Sequence, residues 1–222
     1  MKILVISPHP DDETLGCGGT LLKFRDEGDS IYWLIITVMK KELGFSKETI
    51  DGKEKEITEV SKLYDFKGII NLRLTETRID TLSMSYLVPK IFACISKIKP
   101  DTVFVNNRSD IHKDHNVVFK AVINATKPFR ASFVRRIFMY ETISETELAP
   151  ALIENAFLPN VFIDISKYIG KKLEIMENYK TEVMDFPLSR SLSSIKALAR
   201  YRGSQIGVEY AEAFMLLREV IM

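Results

Sequence analysis

Ile3-Leu4-Val5-Ile6 runs directly into Ser7-Pro8-His9-Pro10-Asp11-Asp12-Glu13-Thr14-Leu15-Gly16, and this junction constrains the fold more than any other stretch. The apolar run is short, rich in β-branched residues and lacks polar alternation, which is the pattern of a strand covered on both faces. A helical pattern opens at once, through Thr14, Leu15, Leu21, Leu22 and Phe24. One histidine and three carboxylates are thus expected on a turn leaving the carboxyl end of a strand, where open α/β sheets carry their sites. Prolines on both sides of His9 restrict its backbone.

The pattern repeats along the chain. Further strands are expected at Ile31 to Val38, Gly68 to Leu72, Thr102 to Val105 and Arg136 to Tyr140. Helices are expected at about 14–28, 53–65 and 86–98, with a fourth carrying Val117, Val118, Ala121 and Val122. This alternation predicts an α/β fold, Rossmann-like, with a mostly parallel sheet, helices on both faces and a helical C-terminal part. In that last part a short strand, Val161 to Ile163, leads into a long helix with Ile169, Leu173, Met176 and Val183 on one face. A further helix ends at Gly203, and a strand is expected through 213–217. The segments 39–52 and 142–160 show no clear periodicity and read as loops that set specificity. With 222 residues, a single domain over 1–222 is the expectation.

Thirty-one basic residues stand against 30 acidic ones, a net charge of +1 without a basic block. That balance disfavours nucleic acid as a partner. Two cysteines, Cys17 and Cys94, give no disulfide framework and suit a reducing compartment. No apolar run is long enough to span a bilayer, and the first strand leaves no room for a signal peptide, so a cytoplasmic location is expected.

All three histidines, His9, His112 and His115, lie in loops after strands, each within three residues of an aspartate. In a doubly wound sheet those loops share one edge, so they can converge across a hundred residues of sequence. A catalytic zinc takes three N and O ligands and keeps a position for water. Two histidines and one carboxylate drawn from the two loops meet that count. A further carboxylate must accept a proton, and a hydrogen-bonding or cationic group must stabilise an oxyanion. Cys17, just inside the first helix, reads as a small buried residue rather than a soft ligand. Gly16, Gly18 and Gly19 lack the dinucleotide spacing, because position 21 is Leu; close packing explains them better.

His9-Pro10-Asp11-Asp12-Glu13-Thr14-Leu15-Gly16 with Gly18-Gly19, and the distant Asp110-Ile111-His112-Lys113-Asp114-His115, resemble the PIG-L/LmbE-like family of zinc-dependent N-deacetylases. Leu74 to Asp80, Arg202-Gly203 and Tyr210 to Phe214 add to the resemblance. It implies removal of the acetyl group from an N-acetylglucosamine-type conjugate, with release of acetate. It further implies zinc on His9, Asp12 and His115, with iron(II) or another divalent ion as the alternative in the cell. Asp11 is implied as general base, His112 as the residue stabilising the oxyanion, and Asp114 as the group orienting His112. Glu13 and Arg78 are expected to touch substrate. The chain departs from the family at Lys53 and Lys55, where an arginine pair is common, and at Thr75-Glu76-Thr77, where Pro-Asp-Gly is common. The expected partner is a small N-acetylated sugar conjugate, and self-association is compatible with the sequence. The alternatives are a metallophosphoesterase and a non-catalytic sugar-binding module with a structural metal.

Overall fold

The computed structural model describes residues 1–221. Its chain runs β1 (Lys2–Ser7), α1 (Asp12–Asp26), β2 (Ser30–Val38), α2 (Lys47–Tyr64), β3 (Gly68–Thr75), α3 (Met84–Ile98), β4 (Thr102–Asn106), α4 (Lys113–Ala125) and β5 (Arg136–Tyr140). β6 (Val161–Asp164), α5 (Ile169–Met176), α6 (Leu192–Ser204) and β7 (Ala211–Glu219) follow. The strands form one sheet in the order β3-β2-β1-β4-β5-β7-β6. The first five in sequence are parallel, and β7 is antiparallel to both β5 and β6. The α/β fold with a mostly parallel sheet is therefore present.

Side chains alternate across the sheet as the strand period requires. Ile3 and Val5 enter a core shared with Leu21 and Leu22 of α1, Val60 and Tyr64 of α2, and Ile175 of α5. Leu4 and Ile6 point the other way, into a core built with Leu87, Ile91 and Ile95 of α3 and Val118 and Val122 of α4. Both faces are covered, which is why β1 could be uniformly apolar. β1 lies between β2 and β4, with Ile6 beside Leu34 and Val105. The chain first winds to one side of β1 and then to the other, so the crevice of an open sheet falls where β1 and β4 end. The two histidine-bearing loops begin there.

Two helices differ from the sequence expectation. α2 starts six residues early, at Lys47, because Ser46 caps it by accepting the N–H of Thr49 at 3.0 Å; its first turns are polar and show no apolar period. The helix after β6 stops at Met176 instead of reaching Val183. The chain leaves it so that the hydroxyl of Tyr179 meets Glu13 at 2.7 Å. No helix among the described residues is long and apolar enough to cross a membrane.

Candidate metal centre and active site

The turn after β1 is held in an unusual conformation. Asp11 has φ 140°, a region that side-chain-bearing residues rarely occupy. Its N–H donates to Glu13 Oε2 at 3.1 Å, and its carbonyl accepts the N–H groups of Thr14 and Leu15 at 2.9 Å each. Glu13 is fully buried and also accepts the hydroxyls of Thr14, at 2.6 Å, and Tyr179. Burial lifts the Glu13 carboxyl to about 7, against the pull of those hydrogen bonds. Where Glu13 was expected to touch substrate, the structure places its side chain beneath the turn, bonded to the backbone N–H of Asp11.

His9 and His115 face each other across a narrow gap, with Nδ1 of His9 3.3 Å from Nε2 of His115. The carboxylate of Asp12 closes the third side, 3.5 Å from His9 Nδ1 and 3.4 Å from His115 Nε2. Each ring is oriented by its other nitrogen. Nδ1 of His115 lies 2.7 Å from Asp110 Oδ2, and Nε2 of His9 lies 3.1 Å from Asp114 Oδ2. Donation to those carboxylates places one proton on the outer nitrogen and turns a lone pair inward on both rings. Two lone pairs and a carboxylate at such separations repel unless something positive lies between them. Without a metal, protons take that place. Burial pulls His115 down, but Asp12 and Asp110 outweigh it and raise the imidazole to about 9. His9 is raised likewise by Asp114 and Asp12 against its burial. Burial also opposes ionisation of Asp12, yet the two histidines hold it well below the usual carboxylate range. The three donors fit one divalent cation.

His9, His112 and Asp114 form a second convergent group, in which several atoms are already engaged while Asp114 Oδ1, though buried, has no hydrogen-bond partner. Asp114 Oδ2 accepts from His9 and from the N–H of Thr77 at 2.8 Å, and His112 Nδ1 accepts the N–H of Asp114 at 3.1 Å. Asp114, expected to orient His112, has its carboxylate on His9; it meets His112 through its backbone N–H, as His112 caps α4, and through the charge its carboxylate exerts on that ring. With Nδ1 accepting, the neutral His112 ring carries its proton on Nε2. Burial, reinforced by positive charge at His9 and His115, lowers His112 to about 4, which favours the neutral ring in the metal-free centre.

A cavity of about 180 Å³ opens beside this centre, lined by His9, Asp11 and His112 together with Met39, Lys53, Glu76, Glu182 and Arg190. Asp11 is 3% exposed. Burial and the neighbouring Asp12 charge raise its carboxyl, while Arg190 opposes them. Arg190 lies 3.1 Å from Asp11 Oδ2, 2.7 Å from Glu182 and 3.2 Å from Glu145. Glu182 also holds Lys53 at 2.9 Å. Arg78 is not among the lining residues. Thr77 turns at φ 59° as its N–H reaches Asp114, which sends Arg78 outward into an adjoining cleft of about 440 Å³ with Lys40, Glu42 and Tyr86. Cys17 lies in the core, its Sγ 3.3 Å from the carbonyl of Glu13.

Sequence reasoning missed Glu182, whose stretch reads as helix, and Arg190, which lies between Pro187 and the next helix without a motif around it. Asp110 carried a usable signal, a carboxylate five residues before a ligand histidine, in the pattern by which carboxylates orient metal-binding imidazoles.

Comparison with known proteins gives the family and the fold. A probable N-acetyl-α-D-glucosaminyl L-malate deacetylase 2 of Bacillus cereus is 27% identical over 131 residues, which make up 55% of this chain and 60% of that relative's length. The diacetylchitobiose deacetylase of Thermococcus kodakarensis is 22% identical over 228 residues, spanning 100% of this chain and 85% of that one. The crystal structure of the conserved protein TT1542 from Thermus thermophilus superposes with a TM-score of 0.78 at 27% identity, covering 99% of this chain and 96% of the other. Residues 4–126, which contain β1, β4 and both histidine loops, match the family described as PIG-L, GlcNAc-PI de-N-acetylase, and the chain belongs to that family.

Proposed function

We propose that this protein is a zinc-dependent deacetylase that hydrolyses the acetamide of an N-acetylglucosamine-type conjugate. The observation that carries the reading is the inward lone pairs of His9 and His115 closed by Asp12, beside a cavity into which a second carboxylate, Asp11, projects. Zinc bound to those three residues supplies Lewis acidity, polarising the acetyl carbonyl and acidifying a water.

The chain's own residues account for the proton path. Asp11 Oδ2 is held by Arg190, which leaves Oδ1 to take the proton from the attacking water. The Nε2–H of neutral His112 donates to the carbonyl oxygen as negative charge gathers there. Asp11 then returns its proton to the departing nitrogen as the C–N bond breaks, giving acetate and a free amine. A neutral His112 makes Asp11 the group that moves the proton in both directions.

The cavity is smaller than a drug-sized pocket, for which roughly 300–1,000 Å³ is usual, so it suits one sugar ring with its acetamide. The adjoining cleft would take the rest of the conjugate. Lys40, Arg78 and Glu42 line it, none of them in an ion pair among the described residues, which leaves a surplus of one positive charge. We therefore assign an anionic aglycone, in keeping with the malate conjugate in the names of the Bacillus relatives. Arg78 then binds substrate at a distance from the reacting atoms. Two-metal phosphoester hydrolysis is disfavoured, because the second convergent group shares His9 with the first and has only two residues of its own.

Acetate release from N-acetylglucosaminyl conjugates with neutral and anionic aglycones tests the reading. Asp11→Asn is expected to lower kcat by about 10²–10⁴-fold with zinc content unchanged. Arg78→Ala is expected to raise KM for the anionic conjugate alone. Equal turnover by Asp11→Asn and the parent would refute the assigned base.

A further inference from the structure

α1 is not continuous. Its backbone leaves helical geometry at Cys17, with φ −146° and ψ 19°, five residues after the candidate ligand Asp12. A break in mid-helix leaves carbonyls before it and N–H groups after it without helical partners. One buried ion pair satisfies both sides. Lys172, from α5, donates through Nζ to the carbonyl of Leu15 at 2.9 Å. Glu212, from β7, accepts the N–H of Gly19 at 2.9 Å and of Thr20 at 2.7 Å. The two side chains meet at 2.7 Å and are 3% and 5% exposed. Charge and dipole agree: the cation sits at the carboxyl end of the first segment and the anion at the amino end of the second.

The first segment is the part of α1 that bears Asp12 and Glu13, so its direction sets where the Asp12 carboxylate points and how Asp11 is held. Mere stabilisation of the bend does not require charges, since a well-packed apolar pair often replaces a buried ion pair without loss. Direct bonds to main-chain atoms on both sides of the break, by contrast, fix an angle. We infer that Lys172 and Glu212 are positioning residues for the metal centre, clamping the break in α1 so that Asp12 is presented to His9 and His115. The inference rests on the metal-site part of the proposed function and is independent of the reaction assigned to it.

The test uses the full chain with Lys172→Met and Glu212→Met combined, which removes the pair without leaving a lone buried charge. Zinc affinity is measured by competition with a chromophoric chelator, and ligand geometry by the visible spectrum of the cobalt(II)-loaded protein. The double variant is expected to bind zinc about tenfold or more weakly and to show an altered cobalt spectrum. Ile95→Val, in the opposite core, serves as a destabilised control in which neither readout moves. If the double variant does not fold, Glu212→Asp, which keeps the charge and shortens its reach, is judged by the same two readouts. Unchanged zinc affinity and an unchanged cobalt spectrum in the folded variant would overturn the inference. Acetate release reports separately on the proposed reaction, so zinc binding without turnover sinks that reading and leaves this one standing.

Discussion

His115 is pinned between Asp110 on one nitrogen and Asp12 on the other, and His9 between Asp114 and Asp12. Because its folded pKa is raised from 6.5 to about 9, protonated His115 stabilises the metal-free protein. That contribution is full below pH 6.5 and is lost as the pH rises through about 9. A cation needs the same lone pairs, so binding must expel protons. Zinc affinity is therefore expected to climb between pH 6.5 and about 9, with proton release detected by titration calorimetry in buffers of different ionisation enthalpy. Affinity flat across that window would contradict the assigned donors. The ligand trio was legible in the sequence, because three histidines beside aspartates on strand-exit loops leave few other arrangements. The roles of Glu13, Arg78 and the Asp114 carboxylate were not, since each depends on which way a side chain leaves its turn.

Close packing explains two glycines of the first motif. A Cβ on Gly16 would lie 2.1 Å from the Tyr140 ring, and that ring cannot swing away because its hydroxyl donates to the carbonyl of Ile6 at 2.9 Å. A Cβ on Gly19 would meet Ile165 at 2.8 Å. Gly16→Ala is expected to cost about 1–3 kcal/mol or more, whereas Gly52→Ala, inside α2 with nothing within 4 Å, should stabilise by up to ~1 kcal/mol. Opposite shifts of the urea midpoint check the pair; shifts of one sign would show that the contact at Tyr140 is not decisive. The existence of these elements was legible from periodicity. The early start of α2 and the early stop of α5 were not, for one is set by a serine cap in polar sequence and the other by a tyrosine drawn to a distant carboxylate.

For the molecule as a whole, one cation would join the turn after β1 to the helix after β4, tying together segments a hundred residues apart. Binding to the folded state alone adds stability by mass action, about 2.7 kcal/mol at a hundredfold excess over Kd. Thermal melts are expected to fall when a chelator strips zinc, and His115→Ala should abolish the difference. A chelator-insensitive melt in the parent would deny the tie. The parallel part of the sheet could be read from the alternation of strands and helices, which leaves few handed solutions. The antiparallel β7 could not, because the path from β6 through α5 and α6 spans enough chain to return in either direction.

That last strand lies inside the sheet, between β5 and β6, and it brings Glu212 with it. During synthesis β6 emerges first yet has no neighbour to join until 211–219 follow. The turn bearing Asp11 and Asp12 is made about two hundred residues before Glu212, which braces it. A nascent chain would display the histidines and aspartates before β7 is made, and a braced centre would arrive only with that strand.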